Sequence, residues 1–144
     1  MEYKISHNIE DCRDQVKTLV EAFESGLPEF KNKKYSEAQL RIDFLNPLLK
    51  SFGWDVNNEN KKTQYLRDVL QEESIDVEDD DRIAKKNPDY TLKLYGNRCL
   101  FLEAKKASID IVNSDAAAFQ TRRYGWSGNL NASILSNFEY LIVY

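Results

Sequence analysis

Three side chains near the middle of the chain have the types and spacing of a hydrolytic site. Pro88-Asp89 is followed, with thirteen residues between the aspartate and the glutamate, by Glu103-Ala104-Lys105. In an extended strand successive side chains alternate, so Glu103 and Lys105 share one face and Ala104 turns to the other. A short hairpin brings Asp89, at the start of its first strand, against the end of its second. Two carboxylates held that closely repel, and each loses acidity unless a cation sits between them. Mg²⁺ removes that cost, because it takes oxygen ligands and keeps several waters. A lysine beside it can orient or deprotonate the attacking water and offset charge on a phosphate. The set is equipment for metal-assisted hydrolysis of a phosphodiester.

The Glu-x-Lys pattern alone carries little. It also occurs as Glu2-Tyr3-Lys4, Glu29-Phe30-Lys31 and Glu59-Asn60-Lys61. Only Glu103-Ala104-Lys105 closes an apolar strand preceded by a hairpin partner that opens with Pro-Asp. The competing reading is a salt bridge at a strand end, and charges closing an apolar central strand favour a site. Other chemistries fall away by composition. His7 is the single histidine, so a Cys/His zinc site or a histidine-based nucleophile has too few members. Cys12 and Cys99 are far apart and fit reduced, buried thiols rather than a disulfide framework. The five glycines form no phosphate-cradling loop. The acidic run Glu78-Asp79-Asp80-Asp81 lacks the spacing and glycine of a calcium loop and reads as solvated charge.

The elements that must position these residues are legible from periodicity. Ile9, Cys12, Val16, Leu19, Val20, Phe23 and Leu27 recur at helical spacing, with Asn8 as cap and Gly26-Pro28 as stop. Residues 29–35 are polar loop. Ser36 opens a second helix with Gln39 placed for a capping box, and Leu40, Phe44, Leu45, Leu48, Leu49 and Phe52 form its apolar stripe. Pro47 within that run predicts a kink or break near Asn46. Glu37 projects between Phe44 and Leu48 on the core side. It is either a first-turn acid favoured by the helix dipole or a carboxylate that needs a partner. Residues 57–87 read mostly as loop, with one edge strand over 69–77. Strands over 88–95 and 98–105 are joined by Gly96-Asn97, a two-residue turn that needs positive φ. Cys99 and Phe101 face one way and Leu100, Leu102 and Ala104 the other, so both faces of the second strand are apolar and it is central. Ser114 caps a third helix running to Tyr124 and ended by Gly125. Residues 140–144 read as a buried-type strand in which the chain stops, the pattern of a piece excised from a longer protein. The order predicts an α/β fold, a three-layer α/β/α sandwich on a central mixed four-stranded sheet.

At this point the residues resemble a known family. PDYTLKLYGNRCLFLEAKK is similar to the catalytic hairpin of the PD-(D/E)XK nuclease superfamily, Gln120-Thr121-Arg122-Arg123-Tyr124 to the QxxxY signature of one of its branches, and SEAQLRIDFLNPLLKSFGWDV to the first core helix of restriction endonucleases. The likeness spans 36–144, with 8–35 as an N-terminal helix and linker, in a single nuclease domain. It looks most like the N-terminal endonuclease domain of single-chain type IIG restriction-modification enzymes; the motor subunit of type I systems is the alternative parent. The resemblance implies that Asp89, Glu103 and the Ala104 carbonyl ligate Mg²⁺ and that Lys105 positions the attacking water. Glu37 would complete the metal shell or hold Lys105, and Gln120 and Tyr124 would orient the site or touch DNA backbone. It further implies double-stranded DNA as substrate. A methyltransferase using S-adenosylmethionine, together with target-recognition regions, would lie in missing C-terminal chain. Double-strand cutting would need two active sites or two turnovers, and a transient dimer would supply the former.

Charge and hydropathy bound these expectations. At 42% hydrophobic and 31% charged, the 144 residues can bury one core, and nothing at the start reads as a signal peptide or a membrane span. A cytoplasmic protein is expected. The net charge of -4 and pI near 5.1 are unusual for an autonomous DNA-binding domain. Positive charge is local, at Lys31, Lys33 and Lys34 and at Lys105, Lys106, Arg122 and Arg123. That imbalance keeps a second class open: a non-catalytic module that retains the nuclease fold and docks DNA or protein.

Overall fold

The computed structural model describes residues 8–79 and 82–144. His7, the Glu2-Tyr3-Lys4 tripeptide, and Asp80 and Asp81 of the acidic run lie outside the described residues. Helix α1 (Ile9–Ser25) begins where Asn8, in extended backbone, accepts the Asp11 N–H at 2.8 Å, and ends at Gly26. A short α2 (Leu27–Phe30) follows. Ser36 caps α3 (Glu37–Leu40) by accepting the Gln39 N–H at 3.0 Å. The same run continues through a π-helical turn, Arg41–Leu45, into α4 (Asn46–Ser51). In that turn the Asn46 N–H reaches back five residues to the Arg41 carbonyl. In an unbroken α-helix the Pro47 ring would press on the carbonyl four residues earlier. Widening the preceding turn by one residue absorbs the conflict, so the expected break near Asn46 takes the form of a π-turn.

The sheet has five strands rather than four: β1 (Val69–Gln71), β4 (Tyr90–Leu94), β5 (Asn97–Ala104), β6 (Ser133–Ser136) and β7 (Leu141–Val143), in that spatial order. Two further strands, β2 (Ile75–Asp79) and β3 (Arg82–Lys86), pair with each other as an antiparallel ribbon. Residues 69–77 are therefore not one edge strand, and 57–87 is not mostly loop. The β1 segment pairs antiparallel with β4, and Ile75 and Val77 turn inward from the ribbon to pack on Phe101 and Tyr124. Within the sheet β5 runs parallel to β6 and the other pairs are antiparallel. A parallel pair needs a crossover, which α5 (Asp115–Ser127) supplies between β5 and β6.

The second correction lies at the end of the chain. The buried strand beside β5 is Ser133–Ser136, whereas Leu141–Val143 is a half-exposed edge. The serines of β6 enter the interior because each finds an acceptor: Ser133 Oγ donates to the Thr121 carbonyl at 2.9 Å and Ser136 Oγ to the Tyr140 carbonyl at 2.8 Å. The hairpin turn sits one residue earlier than expected, on Tyr95 and Gly96, both at positive φ (50° and 83°), with Leu94 opposite Asn97. Helix α5 runs through Gly125 to Ser127 and ends at Gly128. Gly125 is instead a contact glycine, since a Cβ there would lie 3.1 Å from Ser133 Oγ. Both cysteines are free and half-buried.

Tyr90, Leu92, Leu102 and Ala104 pack in one core with Phe23 of α1 and with Leu40, Phe44, Leu45, Leu48 and Leu49 of the second helical run. Within it, the Phe23, Phe30, Phe44 and Phe138 rings meet at centroid distances of 4.8–5.7 Å. Phe101 and Leu135 belong to separate clusters with Tyr124 and Ala117 of α5. The central strand β5 is thus covered on both faces, which fixes the end at which Glu103 emerges. No helix among the described residues is long and apolar enough to cross a membrane.

Candidate active site

The β4–β5 register pairs Tyr90 with Leu102, so Asp89 faces the Glu103 end of the neighbouring strand. Asp89 and Glu103 are only 8% and 6% exposed, yet both are carboxylic acids. Asp89 Oδ2 accepts the Ala104 N–H at 2.7 Å, and the Asp89 N–H points to Glu103 Oε2 at 3.4 Å. Each acid is therefore oriented by the backbone that carries the other. Burial pushes the Glu103 carboxyl up to about 8, the Asp89 charge adds to the rise, and the Lys105 charge opposes it. Such a pair gains most from a shared cation.

Lys105 follows β5 directly, half-buried, its N–H donating to the Ser136 carbonyl at 3.0 Å. Its positive charge acts on Glu103 and on Glu37, lowering the pKa of both. Glu37, in the first turn of α3, is half-buried. Its carboxyl pKa is raised by burial first and by the Asp89 charge second, so it shares the electrostatic surroundings of the acid pair. The side-chain bond from Gln120 to Glu103 joins α5 to this end of the sheet. Gln120 Nε2 donates to Glu103 Oε1 at 3.4 Å and to Tyr124 Oη at 3.0 Å. Tyr124 is buried, and burial raises its hydroxyl pKa.

The structure thus brings Asp89, Glu103, Lys105, Glu37, Gln120 and Tyr124 to one end of the β4–β5 pair, from the helical run on one side and α5 on the other. It also brings a residue that the sequence reading passed over. Arg41 Nη1 donates to Asp89 Oδ1 at 3.2 Å and Nη2 to the Asp89 carbonyl at 3.1 Å. The signal was present: Arg41 lies four residues after Glu37, hence on the same helical face.

The donor set is all oxygen from two buried carboxylates, the chemistry of a hard ion such as Mg²⁺ rather than a soft one. Among the described residues no group of three or more His, Cys, Asp and Glu gathers in metal-binding geometry. Two carboxylates suffice for Mg²⁺, which keeps the rest of its shell as water. Much of the local positive charge is already engaged. Lys31 pairs with Glu139, Lys106 donates to the Lys33 carbonyl, Arg122 lies over Tyr144, and Arg123 lies over Phe119 and donates to the Glu78 carbonyl.

The mixed α/β sheet thus carries two buried acids and a lysine at one end of its β4–β5 pair. Over 132 residues, 92% of its length, the chain is 41% identical to the type II restriction enzyme and methyltransferase RM.Eco57I of Escherichia coli. It spans 13% of that protein's length, so the chain is related to one segment of a restriction-modification enzyme. No family model matches the chain, and no solved structure matches it significantly.

Proposed function

We propose that this chain is the endonuclease domain of a restriction-modification enzyme, a PD-(D/E)XK-type hydrolase that cuts phosphodiester bonds of double-stranded DNA with Mg²⁺. The observation that carries the reading is the buried Asp89–Glu103 pair, with Lys105 beside it, at the end of a central strand. The relative, a restriction enzyme and methyltransferase by name, supports the DNA-acting context. Because the chain spans 13% of that relative's length, methylation with S-adenosylmethionine and target recognition would belong to other parts of such an enzyme.

Each residue has a role that its surroundings support. Asp89 and Glu103 offer carboxylate oxygens, and the Ala104 carbonyl a third, to a divalent ion. A bound Mg²⁺ would contribute positive charge at the phosphate and acidity at a bound water. Lys105 holds its ammonium where it can orient the attacking water and offset charge that builds on phosphate oxygens. Glu37 fixes Lys105 from the helix side. Gln120 holds one oxygen of Glu103, so the other keeps its aim, and Tyr124 holds Gln120.

Asp89→Ala and Lys105→Ala in the full-length enzyme are expected to abolish cleavage while leaving circular dichroism and the melting temperature near those of the natural enzyme. Undiminished cutting by either variant refutes the assignment. The acidic balance favours a second reading, a nuclease-fold module that binds without cutting. Saturable Mn²⁺ binding that disappears in Glu103→Gln speaks against the module.

A further inference from the structure

The Arg41 guanidinium divides its bonds by charge. Its Nη2 donates to two neutral oxygens, Gln71 Oε1 at 3.1 Å and the Asp89 carbonyl at 3.1 Å. Its Nη1 donates to two carboxylates, Asp89 Oδ1 at 3.2 Å and the largely exposed Glu72 Oε1 at 3.4 Å. The guanidinium carbon sits 4.8 Å from the centre of the Tyr90 ring, and the residue opens the π-turn, so backbone and ring both hold the side chain in place. One arm is thus anchored on uncharged groups of β1 and of the residue just before β4. The other holds charge on charge, at the longer distances, and can change partner without releasing the first.

That second arm occupies the oxygen a metal would use. Asp89 Oδ2 is tied to the Ala104 N–H at 2.7 Å, which leaves Oδ1 as the oxygen on which a cation would bear. A guanidinium there keeps the buried carboxylate balanced and correctly turned, but it repels and competes with a divalent ion. A phosphate oxygen is the natural alternative partner for the freed Nη1, because the planar fork suits phosphate as well as carboxylate.

We propose that Arg41 is a resident counter-cation of the acid pair, which competes with the divalent ion for Asp89 Oδ1 and transfers its Nη1 bond to a backbone phosphate when metal and nucleic acid bind together. The inference rests on the nuclease reading and deepens it. Metal alone then binds weakly, because it must evict Arg41. A phosphate that takes up Nη1 strengthens metal binding, and metal strengthens phosphate binding by the same factor. Arg41 is a positioning residue for Asp89 in the free protein and a phosphate donor in the complex.

The test is the opposite movement of two quantities. Mn²⁺ affinity is measured by electron paramagnetic resonance of the free ion, at pH 8 and without nucleic acid, for the natural chain, Arg41→Met and Arg41→Gln. Loss of a charge-assisted bond that competes with the ion is expected to tighten Mn²⁺ binding about tenfold. DNA cleavage by the same variants in the full-length enzyme is expected to slow. A merely structural role would weaken both. Arg41→Lys retains charge but not the fork, and its Mn²⁺ affinity is expected to stay near the natural value. Mn²⁺ affinity that is unchanged or weaker in folded Arg41→Met and Arg41→Gln overturns the proposal, and so does failure of both to fold, which would make Arg41 a structural clamp. Glu103→Gln separates the two levels of inference. If no variant binds Mn²⁺, or binding survives Glu103→Gln, the nuclease reading itself falls. If binding needs Glu103 but ignores Arg41, only the counter-cation falls.

Discussion

Replacing Glu103 by glutamine tests the electrostatics of the site without any assumption about its substrate. Glu103 is 6% exposed, and burial with the Asp89 charge lifts its carboxyl from the ordinary 4.5 to about 8. A group whose proton is held more tightly in the folded state stabilises that state when protonated and strains it when ionised. The folded protein therefore binds more protons than the unfolded chain between pH 4.5 and 8, and stability falls as pH rises through that window. Each tenfold difference in proton affinity is worth about 1.4 kcal/mol, so full ionisation costs the metal-free fold on the order of 5 kcal/mol. Glutamine keeps the shape and the oxygen that accepts from Gln120 and has no charge to bury.

Urea unfolding of the natural chain and of Glu103→Gln, each in chelator between pH 4.5 and 8.5, reads this out. The two should be nearly equal at pH 4.5. The variant should become progressively more stable than the natural chain as pH rises, by up to a few kcal/mol at pH 8.5. Added Mg²⁺ should close that gap by stabilising the natural chain alone, since the ion binds the folded carboxylates and not the glutamine. A difference between the two proteins that stays flat across the window refutes the claim that Glu103 is ionised at a cost.

Two further predictions concern the supports of the site. Gln120→Ala removes the bonds to Glu103 and Tyr124. It should slow single-turnover cleavage about 10- to 100-fold with little change in the melting temperature. Gly125→Val places branched carbon where a bare Cβ would already lie 3.1 Å from Ser133 Oγ and 3.3 Å from its Cβ. It should destabilise the fold by about 1–3 kcal/mol, measured by thermal melting, and unchanged stability would show that α5 and β6 can move apart freely.

The parts of the fold that could be read from sequence are those decided locally. Asn8, Ser36 and Ser114 cap helices because a short polar side chain can accept an orphaned N–H two or three residues on, and all three do so. Pro47 announced a break because ring and carbonyl clash within one turn. The central place of β5 followed from its two apolar faces. What escaped was decided at long range. Ser133-Ile134-Leu135-Ser136 looks like a polar turn until Thr121 and Tyr140 supply carbonyls for its serines. Residues 140–144 look like a core strand, yet their apolar side chains split: Ile142 and Tyr144 pack on Ile111, Ala117 and Leu135, while Leu141 and Val143 face outward from an edge. In the site, Asp89, Glu103 and Lys105 were legible because one hairpin carries them. Arg41 was hinted at only by its helical spacing from Glu37, because its partners lie thirty and more residues away, on β1 and just before β4.

The same local bonding reconciles an acidic protein with the proposed reaction on an anionic polymer. Over distances beyond about 8–10 Å, salt screens individual charges, so net charge governs approach and not the chemistry at the site. Within the site, Arg41 and Lys105 oppose Asp89, Glu103 and Glu37, three acids against two cations. Once Glu103 is ionised, above about pH 8 in the metal-free protein, the one negative charge left over is more than balanced by a divalent ion, which turns a slightly anionic cluster into a cationic one. A phosphate is then attracted only after the metal is in place, whereas the free domain, at net charge -4, has no long-range pull on DNA. On this argument raising the salt should weaken DNA binding by the metal-loaded site far less steeply than it weakens a basic DNA-binding domain, because few phosphate counterions are displaced.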